Sequence, residues 1–182
     1  FDLESLEFLI KKCKIDCIKI PSGEITNLPL LEKAASLKKK IFLSTGMSNL
    51  KEISLAIKIL NKNGCKSKNI TVLHCITNYP AAPEELNLAV IKLLKKKFKI
   101  NVGYSDHSLG ILAPIIAVSY GASVIEKHFT LNKNFEGPDH KASLEPDELK
   151  KMIENIKNAS LMIGKELKIL SQAEKKNKLI AR

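Results

Sequence analysis

Two histidines, His107 and His128, stand 21 residues apart, and each directly follows a short apolar run with β-branched character. Runs of that kind read as strands, so the two imidazoles come from the ends of adjacent strands. Converging neutral imidazoles form a donor pair for a divalent metal, and a pair leaves positions open for water or substrate. Asp139, in the long segment that follows, offers a carboxylate. Other groups suit an anion: Lys19 and the hydroxyls of Ser22, Ser44 and Ser105 all fall at or just beyond strand ends. One ammonium and several hydroxyls match the oxygens of a phosphate or carboxylate. Gly23 and Gly46 would let backbone N–H groups approach such an anion, although a plain strand-to-helix turn is the simpler reading of Gly46. His74 and Cys75 have no adjacent acid to orient them and read as packing. Neither GxGxxG nor a P-loop occurs, so nucleotide binding has no support.

These residues need elements that bring them together. Five runs read as strands: residues 17–20, 41–44, 70–74, 100–104 and 122–126. Helical periodicity fills residues 50–63, 86–98, 109–120 and 147–163, and the chain opens inside a further helix. Asn49 and Glu52 form a capping box, and Glu145-Pro146-Asp147-Glu148 starts the last helix with proline and acids in its first turn. Strict alternation of strand and helix means a parallel sheet with helices on its faces. Two architectures meet that description, an open doubly wound sheet and a closed (β/α)8 barrel. An open sheet concentrates ligand contacts at one switch point, whereas a barrel gathers all its strand ends around one site. Here every strand end carries polar or small residues, which favours a partial TIM barrel made of the last five units, strands four to eight. The 16-residue segment 129–144 is long for a strand-to-helix loop and reads as a lid or a sugar-contacting loop.

The chain has 182 residues, 45% of them hydrophobic, enough for one domain with a real core. Its net charge is +11, from lysines and a single arginine, Arg182. A nucleic-acid reader would use arginine for bidentate contacts and interleave aromatics; at 5% aromatic and with no Trp, this chain does neither. A basic nucleic-acid-binding domain is therefore the weaker, non-enzymatic alternative, recognisable by steep salt dependence. A solvated lysine surface explains the charge, and a field that attracts anionic substrates is compatible with it. No apolar run approaches membrane-span length, so no membrane partner is expected. Cysteines 13, 17, 65 and 75 lack zinc-site spacing and read as free thiols of a reducing cytoplasm. The chain begins with Phe1-Asp2-Leu3-Glu4, which is not a signal peptide, and reads as a piece of something longer.

Seven motifs occur in order along nearly the whole chain: Lys19-Ile20-Pro21-Ser22-Gly23-Glu24, Leu43-Ser44-Thr45-Gly46-Met47, His74-Cys75, Tyr79-Pro80, Gly103-Tyr104-Ser105-Asp106-His107, Glu126-Lys127-His128-Phe129-Thr130 and Gly137-Pro138-Asp139-His140-Lys141-Ala142-Ser143. Together they resemble the sialic acid synthase family. The resemblance implies a TIM barrel that condenses phosphoenolpyruvate with an N-acylated mannosamine-type sugar, with Mn2+ or Mg2+ as cofactor. It implies that His107 and His128 bind the metal and that Lys19 and Ser22 hold phosphoenolpyruvate. Ser44, Ser105 and Tyr79 resemble further phosphate and sugar contacts, and Asp139 resembles a sugar contact. In the stretch before Tyr79, either Thr77 or Asn78 takes a contact. Pro21 departs from the small residue usual in the family. The Ser22-Gly23-Glu24 form looks like the sialic or legionaminic branch.

The resemblance also sets expectations for the chain as a unit. Residues 1–170 would be a partial barrel, and 171–182 the start of a linker to an absent antifreeze-like domain. The family's first three units, with a catalytic glutamate and a second lysine, would be missing, so the piece alone is expected to be inactive. The whole protein would be a cytoplasmic, domain-swapped homodimer in cell-surface carbohydrate biosynthesis. Synthases of seven- or eight-carbon sugar-acid phosphates are the enzymatic alternative; their phosphorylated acceptors call for arginines that this chain lacks.

Overall fold

The computed structural model describes residues 1–181. Helix α1 (Leu3–Lys11) is capped by Asp2, whose carboxylate accepts from Ser5 N at 2.7 Å. There follow β1 (Cys17–Ile20), α2 (Leu28–Ser36), β2 (Lys40–Ser44), α3 (Leu50–Lys62), β3 (Ile70–Cys75), α4 (Val90–Phe98), β4 (Asn101–Asp106), α5 (Leu112–Ser119), β5 (Ile125–Lys127), α6 (Pro146–Ile163) and α7 (Gln172–Ala181). The capping box at Asn49 and Glu52 forms, and so does the start of α6 at Pro146.

Some boundaries differ from the sequence reading. Helix α4 starts at Val90 rather than 86 because Pro83–Glu85 forms its own short turn and Asn87 takes a positive φ of 42°. Helix α5 starts at Leu112 because Gly110, at φ 72°, interrupts the chain. Strand β5 shifts toward its C-terminal end, to Ile125–Lys127. Helix α2 stands where the sequence reading singled out no helix. Within the segment read as a linker, residues 172–181 are helical with no buried side chain, and Arg182 lies outside the described residues.

The sheet is all parallel, in the order β1-β2-β3-β4-β5. Consecutive order without reversal means no switch point, as in an arc of a barrel and unlike a doubly wound sheet. The curvature shows directly in one contact. Laid flat, five strands would put β1 and β5 about 19 Å apart, yet Lys19 Nζ on β1 lies 3.3 Å from Glu126 Oε1 on β5. The sheet therefore curls into a half-barrel, and these two side chains meet across its hollow.

Strand alternation sorts the residues between the two surfaces. Ile18, Ile20, Ile41, Leu43, Ile70, Val72, Val102 and Tyr104 pack outward under the helices in one core cluster with Leu31, Leu60, Ile91 and Leu94. Lys19, Ser44, Cys75, Ser105 and Glu126 alternate with them and face the hollow. Gly103 on β4 is sterically required, because a Cβ there would fall 2.6 Å from both Leu73 Cδ2 and Val124 O.

Candidate active site

The expected phosphate contacts converge on the hollow. Lys19, from the middle of β1, is held toward β5 by Glu126, and Ser105 at the end of β4 donates to the same Glu126 Oε1 at 2.7 Å. Ser22, in the short turn after β1, accepts from Gly46 N at 2.9 Å and lies 3.1 Å from Cys75 Sγ. Among the described residues, Ser44 Oγ is the buried side-chain atom left without a hydrogen-bond partner. A buried hydroxyl in that state is costly unless a ligand supplies the bond.

Gly46 does more than turn the chain. A Cβ there would fall 2.9 Å from Ser22 Oγ and 3.0 Å from Cys75 Sγ and would clash with Thr77 Oγ1. Its N–H is taken by Ser22 and so is not free for an anion. Gly23 has nothing within 4 Å of its would-be Cβ and constrains no neighbour.

The imidazoles meet as the sequence reading expects, with ring centroids of His107 and His128 5.5 Å apart. His107 Nδ1 lies 2.6 Å from the Ile76 carbonyl. A carbonyl only accepts, so Nδ1 carries the proton and Nε2 presents a bare lone pair. Burial lowers the pKa of His107 and the nearby His128 adds to the effect, which keeps the ring neutral as a metal ligand must be. Tyr79 packs its ring 4.1 Å from that of His107 and 5.6 Å from that of His128. The loop that carries Tyr79 is tied to the end of β4, where Ala81 N donates to His107 O at 3.0 Å. Burial, above all, raises the pKa of the Tyr79 hydroxyl, so it stays protonated as a donor.

Asp139 reaches the site from the long loop, with Oδ2 3.7 Å from His128 Nδ1. The base of that loop is pinned by Leu144 N donating to His128 O and Thr130 N to Leu144 O, both at 2.9 Å. Farther along, His140 Nδ1 lies 2.7 Å from Thr130 Oγ1, which ties the loop back to its base. Among the described residues, no group of three or more His, Cys, Asp or Glu forms a cation site. What the chain offers is a two-imidazole donor set, and that set fits a cation which keeps positions open.

Thr77 and Asn78 part company. Thr77 sits against Gly46 beside Ser22, whereas the Asn78 amide donates to Glu85 Oε2 at 3.0 Å, away from the hollow. His74 packs as expected: it is buried, 2.8 Å from the Leu86 carbonyl, and desolvation lowers its pKa.

Sequence reasoning missed what stands behind the imidazoles. Lys127 Nζ lies 2.6 Å from Asp106 Oδ2, with the side chains 3% and 0% exposed, and also donates to the Ser108 carbonyl. Asp106 Oδ1 accepts from the Tyr104 hydroxyl at 3.0 Å, Ser108 N at 2.9 Å and Ser108 Oγ at 2.7 Å. These residues alternate with His107 and His128, so the ion pair ties β4 to β5 on the helix side while the rings face the hollow. The sequence signal is two opposite charges, each one residue before a histidine; that they are register partners shows only in the sheet. Glu126, which holds Lys19 and Ser105, was passed over as well.

The sequence profile of the NeuB family matches residues 1–168. An N,N'-diacetyllegionaminic acid synthase from Campylobacter jejuni is 55% identical over all 182 residues, which cover 54% of that protein. Another from Legionella pneumophila is 45% identical, over 90% of this chain and 46% of its own. The chain thus spans about half the length of the curated relatives it matches. The crystal structure of an N-acetylneuraminic acid synthetase from Leptospira borgpetersenii superposes with a TM-score of 0.91 at 34% identity, over 99% of this chain and 62% of that one.

Proposed function

The chain belongs to the NeuB family, and from that premise we propose that its hollow is part of a synthase site joining phosphoenolpyruvate to an N-acylated mannosamine-type sugar. The product would be a nonulosonic acid of the sialic or legionaminic type, with inorganic phosphate released. The names of the relatives support this product class. One observation carries the reading: an ammonium and three hydroxyls from β1, β2 and β4 share one concave wall, one hydroxyl buried without a partner, beside the two converging imidazoles.

In this reading, C3 of phosphoenolpyruvate forms the new bond to the aldehyde carbon of the open-chain sugar. Water adds at C2, the C2–O bond to phosphate breaks, and a 2-keto acid remains. Lys19, Ser22 and Ser44 hold the anionic oxygens by charge-assisted and other hydrogen bonds, and Ser105 joins them by turning its one proton from Glu126 to the ligand. Glu126 keeps the Lys19 ammonium turned into the hollow. Thr77, Tyr79 and Asp139 line the acceptor side. Holding both reactants this way makes the bond-forming step effectively unimolecular. His107 and His128 would hold a manganese or magnesium ion, which supplies Lewis acidity to a carbonyl oxygen.

The test is phosphate release by the intact protein that carries this chain, with phosphoenolpyruvate and a panel of N-acylated amino sugars. The expected result is release that depends on the acceptor, with one equivalent of a nine-carbon acid by mass spectrometry. Release without acceptor, or with only phosphorylated unacylated sugars, overturns the reading.

A further inference from the structure

The net positive charge of this chain is concentrated at one end of the fold. Five segments run from the last turn of a helix into the first residue of the next strand: residues 8–17, 33–40, 59–70, 95–101 and 116–125. They hold 14 of the 30 basic residues and one of the 19 acidic ones, Asp16, a net of +13 that leaves −2 for all the rest. In a parallel sheet with helical crossovers these segments lie at the N-terminal ends of the strands, opposite the end that carries the candidate site. The lysines are 11, 12, 14, 33, 38, 39, 40, 62, 66, 68, 95, 96, 97 and 99. All but Lys33 and Lys39 are exposed. Lys11 and Lys33 share Glu7, and among the described residues the other twelve have no ion-pair partner. The helix macrodipole favours a cation in each last turn, but the runs continue past the helix ends. Lys14, Lys38 and Lys99 even occupy left-handed backbone, at φ 52°, 55° and 53°, where glycine would be relaxed.

We propose that this face is a peripheral docking surface for an anionic lipid bilayer. Two observations favour a bilayer over a nucleic acid. First, all 14 cations are lysines, which meet headgroup phosphates as point charges, whereas nucleic-acid recognition relies on the guanidinium fork. Second, the four strands that follow the lysine-bearing segments start nearly level, with Cys17 beside Lys40, Ile41 beside Ile70 and Thr71 beside Asn101. The lysines therefore form a broad, level array, suited to a plane of charge. Such contact needs no membrane-spanning helix, and among the described residues there is none. The docked barrel would turn the candidate site away from the lipid, open to water-soluble substrates. Nothing here depends on the reading of that site.

The test is co-sedimentation of the intact protein with vesicles of phosphatidylcholine alone or mixed with phosphatidylglycerol, at low salt and at about 0.15 M. Binding should require phosphatidylglycerol and weaken with salt. Lys38→Gln, Lys66→Gln and Lys96→Gln together should lower vesicle affinity about 100-fold, at about fivefold per lysine. Lys150→Gln, Lys151→Gln and Lys157→Gln on α6, with the same change in net charge, should lower it by no more than a few-fold. Absence of binding at low salt, equal loss in both triple variants, or tighter binding to single-stranded RNA than to the mixed vesicles each overturns the assignment.

Discussion

Replacing Lys127 by Met leaves the Asp106 carboxylate fully buried with no counter-ion. The ammonium it loses sits 2.6 Å away, in a pair whose side chains are 3% and 0% exposed. Three hydrogen bonds to Oδ1 remain, from Tyr104 and Ser108, but Oδ2 keeps none of its own. Breaking a buried pair from one side costs about 3 to 5 kcal/mol, while replacing both partners by neutral groups is often nearly neutral. A destabilisation of that size corresponds to a fall in Tm of about 6 to 20 °C for a chain of this length. Adding Asp106→Asn should then restore part of the loss, because the uncompensated charge is gone. Urea unfolding followed by circular dichroism, run as a double-mutant cycle, measures both effects. The expected coupling is at least about 1 kcal/mol, in the sense that the double variant is less destabilised than the sum of the singles. A Lys127→Met variant within about 0.5 kcal/mol of the parent, as for a surface substitution, would refute the reasoning, and so would strict additivity.

Three further outcomes follow from the same geometry. If the proposed reaction holds, Lys19→Ala removes a charge-assisted bond worth about 1.5 to 3 kcal/mol, so the intact protein's KM for phosphoenolpyruvate should rise about 10- to 150-fold with little change in the KM for the sugar; the opposite split reverses the assignment. His107→Ala or His128→Ala should abolish activity restored by manganese after chelation while the far-ultraviolet spectrum stays unchanged; full activity in both variants removes the metal site. Burial depresses the folded-state pKa of His74 below its ordinary 6.5, so its neutral form is favoured by folding. The unfolded chain then takes up protons first, and stability is full above about pH 6.5 and falls as pH drops below it, by at most about 1.4 kcal/mol per pH unit. Urea midpoints between pH 7.5 and 5.5 should show this slope, and His74→Gln should reduce it, leaving the part that the buried His107 contributes; an unchanged slope means His74 does not contribute.

Much of this was readable along the chain because the patterns are local. The runs at Ile70–His74 and Ile41–Ser44 declare strands by β-branching, and Asn49 with Glu52 declares a helix start by its cap. The half-barrel was legible from polar residues at all five strand ends, since only a closed ring uses them all. Register and height were not legible. Asp106 and Lys127 pair only because β4 and β5 align them, and a linear sequence does not show which neighbour faces the helices. Thr77 and Asn78 could not be told apart because Glu85, seven residues on from Asn78, captures its amide through a turn with its own cap. Helix α2 follows from the alternation of five strand–helix units, but its bounds were not legible, because Leu28-Pro29-Leu30-Leu31 shows proline before any periodicity, although Asn27 caps it at Leu30 N. The lysine runs read as a diffuse surface until the alternation of helix and strand placed them at one end.

In the proposed function, the strand ends of this chain form a single site in which the imidazole pair and the Lys19 wall act on the same two reactants. Diffraction from crystals of the intact protein soaked with manganese and phosphoenolpyruvate, recorded at the manganese absorption edge, tests it most directly. The account predicts one anomalous peak bonded to His107 Nε2 and to His128, with the phosphate of phosphoenolpyruvate on Lys19, Ser22, Ser44 and Ser105. A manganese peak away from both histidines, or phosphoenolpyruvate bound outside the hollow, would contradict it.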